Sequence, residues 1–224
     1  MAKRAIRIGI DVGGTHTKAV AIDNATNEIV GKGSVMTTHF AKEGVAKGVV
    51  DSFQKCLESS NISPDEVIFI AHSTTQATNA LLEGDVADVG VVGIGKGGIE
   101  GWLAKRQTKI PDIDLGTGKF IKIHSAFMKS KDMNTESVKQ VIQSLYDQGD
   151  RVIVASKAFG VDNMTEEKMV AETAESMGLP ASMASDITKL AGLTTRTRTA
   201  ALNASILPKM METANSTESS VRST

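Results

Sequence analysis

One stretch near the start, Ile8-Gly9-Ile10-Asp11-Val12-Gly13-Gly14-Thr15-His16-Thr17-Lys18, constrains this chain more than any other. An apolar strand-forming run ends in an acidic residue, two glycines make a tight turn, and a second β-forming run starts at once. Gly13 and Gly14 lack a Cβ, so main-chain N–H groups there can approach an anion closely. Successive N–H groups in such a turn form an anion-binding concavity, and Thr15 and Thr17 can add hydroxyl donors. Asp11 can hold Mg²⁺ directly or through water, or orient an attacking group. The pattern is neither a Gly-Lys-Ser/Thr phosphate loop nor a dinucleotide fingerprint, because a strand rather than a helix follows the glycines. An ordinary hairpin turn is the bland alternative. The place of this turn between two strands, ahead of a third, favours the anion cradle.

The surrounding pattern reads as α/β. Strands are expected over 5–10, 17–22 and 28–36, an antiparallel meander. Val45, Val49, Phe53 and Leu57 then recur at helical spacing, which predicts a helix over about 42–59. Ser63-Pro64 fits an N-cap and first-turn pair. Residues 67–71 read as a buried central strand, followed by a helix through Leu82 that Gly84 closes. Further strands are expected at 87–94, 119–123, 151–156 and 181–184. Helices are expected at 99–105, 135–148, from Thr165 to Gly178, and over 194–214. Thr165 reads as an N-cap with Glu166 and Glu167 in the first turn. The 93–98 glycine run is either a weaker phosphate loop or a connector. The polar tail 215–224 has no compact fold of its own.

A second constellation is Ala71-His72-Ser73-Thr74-Thr75-Gln76-Ala77-Thr78-Asn79-Ala80-Leu81-Leu82-Glu83. A strand ends at His72 and a helix begins just after, so free N–H groups meet the hydroxyls of Ser73, Thr74 and Thr75. Such a site suits a carboxylate, a phosphate or a polarised carbonyl. Simple N-capping, with His72 satisfied in the core, is the competing reading. Asn79 either lines the cleft or packs as a core polar group.

The strand–Asp-x-Gly-Gly-Thr–strand hairpin resembles the first phosphate loop of the actin, heat-shock chaperone and sugar-kinase superfamily. The 71–83 stretch is similar to the His-Gly-Thr-Thr-x-Ala-Thr-Asn-Ala-Leu-Leu-Glu signature of the hydantoinase/5-oxoprolinase family. Arg196 to Pro208, with Arg198-Thr199-Ala200-Ala201-Leu202-Asn203-Ala204, resembles that family's Arg…Thr…Leu-Asn-Ala helix. The resemblance implies a ribonuclease H-like, actin-like N-terminal lobe: a mixed sheet of five or more strands with flanking helices. It implies a phosphate-loop half at 1–92, an α/β continuation of the same lobe at 93–190, and a helix and tail at 191–224 leading toward a second lobe. It also implies ATP and Mg²⁺ as cofactors and a cyclic amide as substrate. Asp11, His72, Thr74 and Thr75 would be catalytic, with Asp11 also the metal ligand. Gly13, Gly14, Thr15, Thr17 and Lys18 would hold the nucleotide, and Ser73 and Asn79 the substrate. An acidic residue is usual in the family where Lys18 stands. The lysine either binds phosphate itself or marks different substrate or metal handling. His16 stands where the family often has an aromatic and is expected to pack.

Composition narrows the alternatives. A net charge of −1 over 224 residues gives no basic field for nucleic acid, nor one for an anionic membrane. No apolar run approaches the roughly 18 residues of a spanning helix. Lys3, Arg4 and Arg7 precede no long apolar segment, so no signal peptide is expected. The single cysteine, Cys56, cannot form an internal disulfide, and its apolar helical stripe predicts a buried thiol. A reduced, cytoplasmic protein is expected. No second Asp-x-Gly-Gly or glycine-rich adenosine motif follows residue 200. The chain therefore reads as a piece of a longer enzyme or one half of a split one, inactive alone and dependent on a second lobe or partner subunit in a homo- or hetero-oligomer. Kinase, ketone-carboxylase and ATP-sensing roles remain the alternatives.

Overall fold

The computed structural model describes residues 4–38, 41, 44–74 and 76–222. The chain divides into two compact units, Met1–Asn79 with Met210–Thr224, and Ala80–Lys209.

In the first unit, β1 (Ile6–Val12), β2 (His16–Asp23), β3 (Ile29–Met36) and β4 (Val67–Thr74) form a mixed sheet in the order β3-β2-β1-β4. The first three strands are antiparallel neighbours, and β4 runs parallel to β1. Strict alternation sets the faces: Ile6, Ile8, Ile10 and Val12 of β1 are buried, while Gly9 and Asp11 between them are exposed. The buried set meets Val45, Val49, Phe53, Cys56 and Leu57 of α1 (Val45–Ser59), the expected helical stripe. Each fully buried side chain of this kind stabilises the fold by about 1.5–3 kcal/mol. Cys56 is buried, and loss of hydration raises its thiol pKa above the ordinary value. Before β4, Ser63 caps a single 3-10 turn, Pro64–Glu66, and its N–H donates to the Glu66 carboxylate at 2.9 Å.

The helix lies very close to the sheet because β2 and β3 present Ala19, Ala21, Gly31 and Gly33 to it. A Cβ on Gly33 would fall 2.7 Å from the Cys56 nitrogen and closer still to the Ser52 carbonyl oxygen. Both are helix backbone, so α1 itself would have to move. Gly33→Ala is expected to cost about 1–3 kcal/mol, measured as a lower urea midpoint with an unchanged m-value.

In the chain, α2 (Gln76–Glu83) leads on, and Gly84 at φ 64 ends it as expected. The second unit then follows as β5 (Val89–Gly95), α3 (Gly98–Thr108), a small hairpin of β6 (Ile113–Asp114) and β7 (Phe120–Ile121), β8 (Ile123–Lys129) and α4 (Thr135–Asp147). After these come β9 (Val152–Lys157), α5 (Thr165–Ser176), β10 (Ala181–Met183), α6 (Ala184–Ile187) and α7 (Leu193–Ser205), with α8 (Leu207–Arg222) last in the chain. Its sheet is entirely parallel, in the order β10-β9-β5-β8. Both β5 and β9 are buried along their whole length, as a parallel sheet covered on both faces requires. One face packs against α7 and the β6–β7 hairpin, the other against α4 and α5. α3 also packs against β5 and α7.

The α/β class with a mixed sheet and flanking helices agrees with the sequence. The details differ in several places. The mixed sheet has four strands, because β5 pairs with β8 and β9 instead of joining it. The two compact units divide after Asn79. β4 is therefore the outer strand of its sheet, with Ile68 and Phe69 each 58% exposed, not a buried central one. β8 was not anticipated. The final helix is two, α7 and α8, since Pro208 cannot continue the hydrogen bonding of α7; α8 also takes in most of the expected unstructured tail. Met164, not Thr165, occupies the N-cap of α5, while the Asn163 side chain accepts from the Thr165 N–H at 2.9 Å.

Candidate functional site

Asp11 is the penultimate residue of β1, on the face turned away from α1. Register sets its neighbours: Lys18 of β2 stands directly opposite on one side and Ser73 of β4 on the other. The Ser73 hydroxyl donates to Asp11 Oδ1 at 3.0 Å, and all three residues are exposed. No side chain crowds the neighbouring Gly9, where a Cβ would have nothing within 4 Å.

The turn Gly13–His16 comes next. The Gly13 N–H donates to the His16 carbonyl at 3.1 Å and closes it. A Cβ on Gly13 would sit 3.0 Å from that same carbonyl oxygen, which explains glycine there through close approach. Gly14, Thr15 and His16 are exposed. The Asn79 amide nitrogen lies 3.9 Å from the place of a Cβ on Gly14, so the 71–83 stretch reaches this turn. The chain continues from His16 as a β-ribbon, and Gly14, Thr15 and His16 of the turn are not sealed under side chains.

Sequence reading missed Thr37, just beyond β3. Its N–H donates to the Thr15 carbonyl at 2.9 Å and its hydroxyl to the Gly13 carbonyl at 2.7 Å. It thus braces both arms of the turn. Nothing in Met36-Thr37-Thr38 separates this threonine from any other at a strand end. Thr37→Val removes the hydroxyl and keeps the shape. It is expected to weaken binding of phosphate-bearing ligands at the turn by roughly tenfold, with Thr37→Ser close to the parent; equilibrium titration of both variants checks this.

Two anticipated site residues fall elsewhere. Thr17 pairs with Val12 in register, so it shares the α1 side of the sheet, where it is fully buried and its hydroxyl lies 3.2 Å from that of Thr37. His72 pairs with Ile10 and therefore also lies on the α1 side, opposite Asp11. It is half-buried, and its Nδ1 is buried without a hydrogen-bond partner; it is neither beside Asp11 nor a satisfied core histidine. Thr74 closes β4 opposite Val12. Thr75 lies outside the described residues. His16 is exposed, not packed. Arg196 is buried in the second unit, where it donates to the carbonyls of Lys157 and Leu190 at 2.7 Å each.

Among the described residues, no group of three His, Cys, Asp or Glu side chains could hold a metal by itself. A single strand-end carboxylate beside an exposed glycine turn instead fits the way Mg²⁺ is usually held, by one or two carboxylates together with phosphate oxygens and water. No helix among these residues is long and apolar enough to cross a membrane.

This hairpin, with the strand and helix that follow, lies within a match to a family model. The model describes the hydantoinase/oxoprolinase N-terminal region and covers residues 7–178. The chain belongs to the hydantoinase/oxoprolinase family. No curated protein gives a significant match. Among solved structures, nucleotide-free acetone carboxylase is similar over 98% of this chain and 35% of its own, at 18% identity and a TM-score of 0.65. An ATP-dependent caprolactamase from Pseudomonas jessenii is similar over 96% of this chain and 33% of its own, at 18% identity and a TM-score of 0.60. At that identity the likeness concerns the fold. The chain spans about a third of the length of each of these proteins.

Proposed function

We propose that the chain is the N-terminal part of an enzyme that uses ATP to open a cyclic amide such as a lactam or hydantoin. One observation carries the reading: Asp11 is presented at a strand end, hydrogen-bonded by Ser73, flanked by Lys18, and followed directly by the exposed Gly14-Thr15 turn. When bound, Mg-ATP would supply a phosphoryl group to the amide oxygen, which would make the amide carbon electrophilic enough for water to add and the ring C–N bond to break, with phosphate released. The chain's own part is positioning and charge, on which phosphoryl transfer chiefly depends. Asp11 holds Mg²⁺ or its water, with Ser73 fixing the carboxylate. Main-chain groups of Gly14 and Thr15, together with the Lys18 ammonium, hold phosphate oxygens, while Gly13, whose N–H is bonded to the His16 carbonyl, shapes the turn. Asn79 and Ser73 face the substrate. Thr74 and Thr75 are kept in the proposal through the family motif alone. A direct role for His72 requires the end of β4 to rearrange; Thr17 serves as a support for Thr37.

The caprolactamase among the similar structures acts on a cyclic amide, which supports this substrate class. Acetone carboxylation by the other makes ATP-dependent ketone carboxylation the second reading. The test is phosphate release from the full-length protein, with any partner subunit, when 5-oxoproline, hydantoins, caprolactam, acetone with bicarbonate, and sugars are offered separately. Stimulation by cyclic amides is the expected result. Stimulation by ketone and bicarbonate, or by sugar alone, replaces the proposal with a carboxylase or a kinase. Tight nucleotide binding with no stimulated release points to an ATP-sensing module.

A further inference from the structure

The parallel sheet of the second unit contains a site that the hairpin does not explain. In open α/β sheets, ligands bind in the crevice beyond the carboxyl ends of the strands, where neighbouring strands send their connections to opposite faces. β5 and β8 are such neighbours. The chain leaves β5 into α3, which packs with α7, and leaves β8 toward α4, which packs with α5 on the other face. A cavity of about 610 Å³ lies at that point, walled by the loop after β5, by α3, by the end of β8 and by α4. Small-molecule sites usually occupy about 300–1,000 Å³.

Its chemistry is specific. Lys96 from the loop, Lys105 from α3 and Lys129 from β8 all line it, with one carboxylate residue, Asp132. None of the three ammonium groups has a carboxylate partner among the described residues. The loop is shaped to the same end. Gly97 and Gly98 border the cavity with open space where a side chain would stand, and Gly98 has φ +71. Gly101 leaves room for the Lys96 carbonyl oxygen, which a Cβ there would strike. Glu100, away from the cavity wall, receives the Lys96 N–H at 2.5 Å and fixes the loop. The first turn of α3 therefore faces the cavity with no side chain before Lys105, and its N-terminus adds positive potential. Phe127, Met128 and Val141 form an apolar part of the wall.

We propose that this cavity binds a small organic phosphate monoester, the phosphate among Lys96, Lys105 and Lys129 and the organic group against Phe127 and Val141. Among the lining side chains three lysines stand against one aspartate, an excess of positive charge that suits the roughly −1.5 to −2 of a phosphate monoester near neutrality better than a monocarboxylate. The site lies wholly in the second unit and does not rest on the function proposed for the hairpin.

The test is a titration of the protein with phenyl phosphate, benzoate and inorganic phosphate at constant ionic strength, read from the backbone amide resonances of Gly97, Gly98 and Lys129. Saturable shifts with phenyl phosphate are expected, with benzoate and the Lys105→Ala/Lys129→Ala variant each weaker by roughly tenfold or more. Both lysines are exposed, so preserved amide dispersion elsewhere confirms a folded variant. Inorganic phosphate should bind more weakly than phenyl phosphate. Asp11→Asn should bind phenyl phosphate as the parent does, which separates this site from the hairpin. Equal affinity for benzoate, undiminished binding by the lysine variant, or loss of binding in Asp11→Asn overturns the proposal.

Discussion

Replacing Asp11 with asparagine in the full-length, assembled protein is expected to lower ATP-dependent phosphate release by about a thousandfold or more, because a metal-held charge at the reacting phosphates is worth several kcal/mol. Asparagine is nearly isosteric, and its carbonyl oxygen still accepts the Ser73 hydroxyl that reaches Asp11 at 3.0 Å. Asp11 is exposed and outside the α1-facing core, so the melting temperature should stay within a few degrees of the parent. The loss is therefore one of charge and not of fold. A coupled phosphate assay alongside thermal unfolding separates the two. Full turnover by the variant would remove Asp11, and with it the metal-binding role of the hairpin.

Most of what surrounds Asp11 was legible because it is local. Alternation along 6–12, the Gly13-Gly14 turn and the stripe of α1 each depend on residues a few positions apart, and all three appear where expected. Strand parity sets Thr17 and His72 apart from Asp11. Once Val12 pairs with Thr17, Lys18 must share the face of Asp11, while Thr17 joins Ala19 and Ala21 beneath α1. The same parity puts His72 with Ile70 on the α1 side and Ser73 with Asp11. Both corrections follow from period two alone, given the register.

Other features needed the three-dimensional structure. β8, Ile-His-Ser-Ala-Phe-Met-Lys, is an outer strand with mostly half-buried residues and only one β-branched side chain, so its sequence lacks a clear alternation. The separation of β5 from the first sheet is a matter of long-range pairing. Its fully apolar run fits a central strand in either sheet, and only contact with β9 and β8 decides. The lysines at 96, 105 and 129 are similarly scattered along the chain and meet only where two crossover connections diverge.

Arg196 carries the largest expected effect on stability. It opens the stretch that resembles the family's Arg…Thr…Leu-Asn-Ala helix, and its packing gives it a structural role. It is 1% exposed and holds the Lys157 and Leu190 carbonyls, while Glu167, 0% exposed, accepts from the N–H groups of Lys157 and Ser185 and from the Ser185 hydroxyl. The two charges lie in one network. Arg196→Ala would leave two carbonyls without their donor and take a nearby positive charge from Glu167, at a cost of about 3–5 kcal/mol, a large share of the roughly 5–15 kcal/mol of a typical domain. Arg196→Met/Glu167→Gln removes both charges and should recover a good part of that loss. The pH dependence has a definite sign. Burial raises the Glu167 pKa above its ordinary value, against the opposing hydrogen bonds and Arg196. The folded state therefore holds this proton more tightly than the unfolded chain does, and its contribution to stability falls as pH rises from the ordinary glutamate value through the raised one. Removing Arg196 raises the folded value further, so the deficit of Arg196→Ala should be larger at neutral pH than near pH ~4.3. Urea unfolding at both pH values measures it, and a deficit that does not change with pH would mean that Arg196 acts through its hydrogen bonds to carbonyls and not through its charge.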